Sequence, residues 1–195
     1  MLAAEVRWPL DRVLALPGRS RGDLLGSWGS NVTKRFGADS LSRVRARLPA
    51  PLHELPAVLT ARDWVPVYAQ LLVTEAIVDE WLGGDLRALY PLLVEDTRNA
   101  LNRVQLMLVR GLGPARALRL GPRTFKQVHE RGANQVEVDG RTARIAFSGS
   151  PLFEHPTWRV LQLFATQTLL ELADRPGSAT GEQTGADSFA AIARW

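Results

Sequence analysis

Three histidines and a short run of carboxylates are the residues of this chain best suited to chemistry. His155 stands directly before Pro156 in "FSGSPLFEHPTWR", so its backbone is biased toward extended geometry and it should precede a helix rather than lie inside it. His129, in "FKQVHERG", sits on a predicted short helix and could face inward. Imidazoles in such positions serve as haem ligands or as polar contacts to a bound molecule.

The other candidate metal-binding or catalytic residues lack a second residue that their chemistry requires. His53 begins "HELPA", which has no second histidine four residues on, as a zinc-protease helix requires. Glu75 and Asp79 are four residues apart on one helical face and could bind cations or do acid–base work, but the Glu-x-x-His pairs of di-metal bundles are missing. Pairing with arginines explains these carboxylates more simply. We therefore predict neither a catalytic set nor a metal site.

Composition narrows the class of protein further. The chain has 195 residues, 46% of them hydrophobic, which is enough for one domain with a substantial core. It contains no cysteine, which excludes disulfides and thiolate ligands. No apolar run is long enough to span a bilayer, so we expect a cytoplasmic protein without membrane partners.

The charge balance points away from nucleic acid. The net charge is +4, and of the 24 basic residues only Lys34 and Lys126 are lysines. The arginines are scattered among acidic residues and form no long block. A basic surface in contact with solvent explains this pattern, so nucleic acid is not an expected partner.

Periodicity predicts helices first and strands later. Apolar residues recur at helical spacing over residues 64–82, and a second long helix is predicted from Thr157 to Ala173. Between them the period changes to two on either side of Asp139-Gly140, a strong hairpin signal. The alternation of "SFAAIARW" predicts a strand that joins this hairpin. Residues 1–21 are predicted as an irregular segment and 174–187 as a flexible loop.

These elements define the predicted fold class and site. We expect a single α+β domain over residues 1–195, mainly helical, with a small antiparallel sheet made of the hairpin and the C-terminal strand and packed by a long helix. Six tryptophans are enough to supply both a core and a pocket wall or interface. The residues predicted to contact a ligand or a partner are Trp81, Tyr90, His129, His155 and Trp158.

Several longer phrases carry a resemblance. "ADSLSRVRARLP", "WVPVYAQLLVTEAIVDEWLGGDLRALYPLL", "VHERGA" before a hairpin, and "FSGSPLFEHPTWR" together resemble a paralogous myxobacterial family of proteins of about two hundred residues and unknown function. The resemblance covers the chain from about Gly22 onward. That family is similar in topology to vinyl-reductase-type small-molecule-binding domains, to haem-based nitric oxide sensors and to small subunits of vesicle-tethering complexes.

The resemblance implies a sensor or an assembly module rather than an enzyme. Vinyl-reductase-type domains typically carry cysteines near the C-terminal strand, and this chain has none, so thiol or metal chemistry does not carry over. Our first prediction is a non-catalytic cytoplasmic signalling or assembly module without a cofactor, which acts through a protein partner and through homodimers. The alternative is a sensor that binds a small apolar molecule or haem in a pocket between helices and sheet.

Overall fold

The computed structural model describes residues 7–100 and 103–195, and the side chains of these residues apart from 100 and 103–105. The predicted class is confirmed, because helices pack against small antiparallel sheets. In the described part of the chain, no helix is both long and apolar enough to cross a membrane.

The first half of the chain is mainly helical. Its helices enclose an apolar cluster in which Val44, Leu52 and Val73 are almost fully buried. A short antiparallel ladder pairs Ser20 with Val65 and ties the start of the chain to the entry of the longest of these helices. The elements are α1 (Leu10–Leu14), β1 (Arg19–Arg21), α2 (Trp28–Phe36), α3 (Ser40–Arg47), β2 (Trp64–Pro66) and α4 (Tyr68–Trp81).

Three further helices lead to the main sheet: α5 (Tyr90–Ala100), α6 (Arg103–Arg119) and α7 (Gly121–Val128). Helix α6 is broken at Gly113, whose φ of 68° and ψ of 167° are not helical. Pro114 follows, and it cannot donate the backbone hydrogen bond that a continuous helix needs. Short 3-10 turns connect elements along the chain at Gly22–Leu24, Ala50–Leu52, Leu86–Leu89 and Pro151–Glu154.

The main sheet has four antiparallel strands in the order β3-β4-β6-β5. Its register pairs Phe147 with Phe189 and Ile145 with Ala191, so one face of the sheet is apolar and buried. Helix α8 (Pro156–Leu172) packs on this sheet, with Trp158 completely buried. The strands are β3 (Ala133–Asp139), β4 (Thr142–Ser148), β5 (Ser178–Gly185) and β6 (Ser188–Arg194).

The hairpin, the C-terminal strand and the last long helix are found where the sequence predicts them. The β3–β4 turn contains Gly140 with a φ of 54°, as its Asp-Gly sequence requires. His155 has extended geometry, with φ −67° and ψ 125°, and precedes α8 as Pro156 predicts.

Three boundaries differ from the prediction. Residues 174–187 are not simply a loop, because 178–185 form the edge strand β5, whose backbone pairs with β6 despite a sequence rich in glycine and polar residues. Within the predicted irregular segment 1–21, the described residues include α1 and β1. The predicted helix 64–82 begins only at Tyr68, because Trp64–Pro66 pair with β1 instead.

Candidate functional site

The five residues predicted to form a site lie in different parts of the molecule. Trp81 stacks on Phe36, with ring centroids 4.5 Å apart, at the far end of α4. Trp158 lies in the main core and His155 precedes it at the start of α8. His129 caps the C-terminal end of α7, and Tyr90 begins α5. The five side chains therefore do not converge on one site, although His129 and Trp158 border the same aromatic core through Phe125 and Phe153.

Of these five residues, Tyr90 lines a cavity between helices and sheet, which we call the α8 cavity. Its volume is about 350 Å³, at the lower end of the range for small-molecule sites. The Tyr90 and Phe164 rings are 5.1 Å apart and make an aromatic wall. The lining residues are Arg87, Tyr90, Leu163, Phe164, Gln167, Ala179, Thr180 and Gly181.

The polar side chains of Gln167 and Arg87, which line the α8 cavity, are already bonded to neighbouring protein groups. Gln167 donates to the Gly177 carbonyl oxygen at 3.1 Å and accepts from the Ala179 amide at 3.0 Å, which fixes the start of β5. Arg87 forms an ion pair with Asp85 at 2.9 Å. A ligand would therefore contact mainly carbon atoms here, and its polar groups would have few free partners.

Tyr90 is a neutral phenol in this site. Its hydroxyl donates to the carboxylate of Glu171. Burial is the main cause that raises the pKa of Tyr90 above its ordinary value, and the hydrogen bond to Glu171 is the second cause. Both disfavour the phenolate. The hydroxyl can orient a ligand as a hydrogen-bonding group, but it is not poised to act as a nucleophile or as an anionic metal ligand.

His155 belongs to a second region, the His155 corner, formed by His155, Thr157 and Arg159 with Glu75 of α4. The imidazole is 1% exposed, and neither ring nitrogen has a hydrogen-bond partner among the described residues. Its Nε2 lies 3.9 Å from Oε1 of Glu75, to which the Thr157 hydroxyl donates. Arg159 donates to the Phe153 carbonyl oxygen at 2.8 Å.

Burial shifts the pKa values of His155 and Glu75 in the directions that favour their neutral forms. Burial is the main cause that lowers the pKa of His155 to about 4, and the nearby positive charge of Arg12 contributes. Burial also raises the pKa of Glu75, although the Thr157 hydrogen bond opposes this shift. Both directions follow from the cost of placing a charge where water is absent.

The start of the described chain closes this corner. The Trp8 ring lies 5.0 Å from the His155 ring, and the Arg12 guanidinium stacks over Trp8 at 3.3 Å. Arg7 forms an ion pair with Asp79 of α4. His155 is therefore packed between protein groups on several sides, and it does not line the α8 cavity.

His129 has a similar chemical state in a different place. It stacks on Phe125, with ring centroids 4.4 Å apart, and its Nδ1 has no hydrogen-bond partner among the described residues. Burial lowers its pKa to about 4, so the ring is neutral near pH 7. The helix ends at Val128, so the prediction that placed His129 on the helix is off by one residue.

The carboxylates of α4 and α5 bind arginines except for Glu75, which binds the Thr157 hydroxyl; the predicted arginine pairing is therefore confirmed for Asp79 and wrong for Glu75. Glu80 pairs with Arg43 and Arg47, and Arg35 pairs with Glu95 at 3.0 Å. Sequence reasoning missed that Glu75 and Asp79, four residues apart, face different surroundings. Glu75 is buried against α8, whereas Asp79 is half-exposed beside Arg7.

Comparison with known proteins identifies the fold. A variant of the Fe(II) unliganded H-NOX protein from K. algicida superposes with a TM-score of 0.64 at 11% identity, over 89% of this chain and 95% of that one. A structure from work on haem distortion in the H-NOX family gives 0.63 at 9% identity, over 90% and 94%. Another, on haem redox potential and porphyrin distortion, gives 0.62 at 10%, over 90% and 99%.

The chain thus has an H-NOX-like α+β fold along most of its length. No family model matches the sequence, and no curated protein matches it either. The expected topological similarity to haem-based sensors is confirmed at the level of the fold. Membership of the myxobacterial family stays a prediction.

In the described part of the chain, none of the three histidines is placed to ligate a haem iron. An axial ligand must face an apolar slot wide enough for a porphyrin. His129 and His155 are buried against aromatic rings, and the Nε2 of His53 is bonded to the Leu48 carbonyl oxygen at 2.8 Å. Between α8 and the sheet, the space is filled by rings in mutual contact, with centroids 4.6 Å apart for Phe153 and Trp158 and 4.9 Å apart for Phe147 and Trp158.

Proposed function

We propose that this protein is a haem-independent sensor domain that binds a small, mainly apolar molecule in the α8 cavity and has no reaction of its own. The observation that carries the proposal is the cavity itself, which lies between α5, α8 and β5 and has an aromatic wall formed by Tyr90 and Phe164. The H-NOX-like fold supports the sensor hypothesis better than the assembly hypothesis.

The position of the cavity suggests how binding would be transmitted. β5 is the edge strand of the sheet and is attached to α8 through Gln167. A ligand between Phe164 and Thr180 would restrain this edge relative to the helix, and the change would be available to a protein that pairs with or covers β5. We propose that this second protein is a cytoplasmic partner that recognises β5.

A neutral fluorescent probe, N-phenyl-1-naphthylamine, tests the site. We expect saturable binding to the wild type, and a loss of at least about tenfold in affinity in Thr180→Trp, which fills the cavity from β5. Thr184→Trp is the matched control, because Thr184 is exposed on the same strand and does not line the cavity. Equal binding by both variants would refute the location.

Haem independence needs its own measurement. Native mass spectrometry of the freshly purified protein, with an absorption scan of the same sample, should show neither the mass of haem nor a Soret band. Addition of haemin should produce no band that His129→Ala or His155→Ala removes. A histidine-dependent Soret band would overturn this part of the proposal and leave the fold assignment intact.

One observation favours assembly as a second function. Met107 and Leu108 are adjacent on α6 and are 70% and 59% exposed, which is unusual for large apolar side chains. A second copy of the chain or another protein would bury them. Light scattering on the wild type and on Met107→Lys tests this: a dimer that the substitution dissociates supports assembly, and a monomer in both cases opposes it.

A further inference from the structure

We propose a second binding site, for an amphipathic anion, at the break in α6. This site is distinct from the α8 cavity and goes beyond the function proposed above. A cavity of about 490 Å³ lies where four segments of the chain meet. We call it the α6 cavity, and it is lined by Leu112, Gly113, Pro114, Ala115, Arg141, Arg175, Pro176 and Trp195.

The break in the helix forms one wall. Gly113 leaves helical geometry and Pro114 follows it, so α6 is interrupted where it lines the cavity. Trp195 forms another wall, and its backbone amide donates to the Arg141 carbonyl oxygen at 3.0 Å. This bond holds the end of β6 beside the hairpin turn. The cavity is therefore lined by carbon-rich groups from separate elements.

The side chains that line the α6 cavity include two arginines and no carboxylate. Arg141 and Arg175 both line it, and neither guanidinium has a hydrogen bond or an ion pair within the described ranges 7–100 and 103–195. The acidic residue beside Arg175 in sequence, Asp174, is already bound to Arg110 at 2.9 Å. Two cationic side chains that share a cavity lined by no acidic side chain favour an anionic ligand.

The end of α8 fixes the backbone of Arg175. Asp174 has a φ of 52°, and it is the one non-glycine residue with a positive φ in the described chain. The Arg175 amide donates to the Leu170 carbonyl oxygen, which completes the C-terminal cap of α8. Glycine is the usual residue at this position, so the aspartate costs stability there and at the same time pairs with Arg110.

Together these features assign the ligand class. The two arginines can bind a carboxylate or phosphate group, and Trp195, Leu112 and the prolines can cover an apolar body. A membrane lipid and a free organic acid share this chemistry, and the experiment separates them. The probes are decanoate below its micellar concentration, decyltrimethylammonium, inorganic phosphate and phosphatidylglycerol vesicles.

We expect decanoate to bind in a one-to-one ratio by calorimetry, and decyltrimethylammonium and phosphate to bind at least about tenfold more weakly. Arg141→Gln with Arg175→Gln should weaken decanoate binding at least about tenfold. The matched control is Arg98→Gln with Arg123→Gln, which removes the same charge from exposed positions on α5 and α7. Ala115→Trp should block the site sterically.

The outcomes decide the proposal. Arginine-dependent binding of decanoate supports a free ligand, and arginine-dependent binding of vesicles alone supports a lipid headgroup. No binding of either, equal binding of the cationic probe, or equal loss in the control variant would overturn the site. Thr180→Trp should leave decanoate binding unchanged, so failure here is distinguishable from failure of the α8 cavity.

Discussion

The His155 corner and the α8 cavity are built on the same helix and have opposite properties. At the first turn of α8, His155 and Thr157 are each 1% exposed and are packed against protein groups. Two turns later, Phe164 and Gln167 border open space, and the polar side chains of Gln167, Tyr90 and Arg87 in that region are already bonded to other protein groups. The ionisable side chains of the corner are thus buried away from solvent, whereas the α8 cavity offers a ligand mainly apolar surface.

The packing beside the corner gives the largest expected effect. Gly132 has a φ of 88°, and a Cβ atom there would lie 2.4 Å from Cζ of Phe153. Gly132→Ala should lower the free energy of unfolding by about 4 kcal/mol, since it combines left-handed strain with overpacking. Urea denaturation followed by circular dichroism measures this loss.

Gly140→Ala is the control for that substitution. Gly140 also has a positive φ, but a Cβ atom added there would have nothing within 4 Å. Its replacement should cost about 1 kcal/mol, the backbone contribution alone. Equal losses in the two variants would show that the region around Phe153, beside the corner, is not tightly packed and would weaken the contrast with the cavity.

The second prediction concerns the histidine itself. His155→Ala should cost about 3 kcal/mol, because it leaves a hole in a buried site. His155→Phe should cost much less, because the ring nitrogens have no hydrogen-bond partners to lose in the described structure. The comparison of the two variants by urea denaturation separates packing from polar function. A phenylalanine variant as unstable as the alanine variant would reveal a polar role for the imidazole.

How far the sequence could predict these regions depends on how local the signals are. Asp139-Gly140 specifies its turn, and Pro156 specifies the geometry of His155, because each acts on its immediate neighbours. β5 could not be predicted in this way, because "SATGEQTG" has little intrinsic preference for a strand and depends on hydrogen bonds from β6.

The two cavities could not be predicted from local sequence patterns either, because each is lined by residues that are far apart in the sequence. The α8 cavity brings Tyr90 to Phe164 and Thr180, and the α6 cavity brings Leu112 to Arg141 and Trp195. Nothing in the spacing of these residues indicates that they meet. Tyr90 was predicted as a pocket residue because of its type, whereas Arg141 and Arg175 carried no signal until their neighbours were known.

The third prediction is a dependence of stability on pH that resides in the corner. His155 has a pKa of about 4 when folded and an ordinary value of 6.5, so the unfolded chain binds more protons between these values. The free energy of unfolding should therefore fall as the pH falls from 6.5 toward 4. The contribution of His155 is about 3 kcal/mol in the limit.

His155→Phe isolates this contribution. The variant should lose less stability than the wild type between pH 6.5 and 5, and the remaining slope should come mainly from His129, whose pKa is also about 4. Glu75 acts in the opposite direction, since its raised pKa causes stability to fall as the pH rises. Identical slopes for wild type and variant, by urea denaturation at each pH, would mean that His155 is hydrated rather than sealed.

The smallest expected effect lies in the α8 cavity. Tyr90→Phe removes the hydrogen bond to Glu171 and should cost about 1 kcal/mol. Tyr68→Phe, at the other tyrosine of the chain, should cost less, because its hydroxyl has no hydrogen bond among the described residues. Binding of N-phenyl-1-naphthylamine should persist in Tyr90→Phe, since the aromatic wall with Phe164 is kept. If the phenylalanine variant loses the probe while remaining folded, the hydroxyl itself contacts the ligand, and the cavity is less chemically quiet than its internal hydrogen bonds indicate.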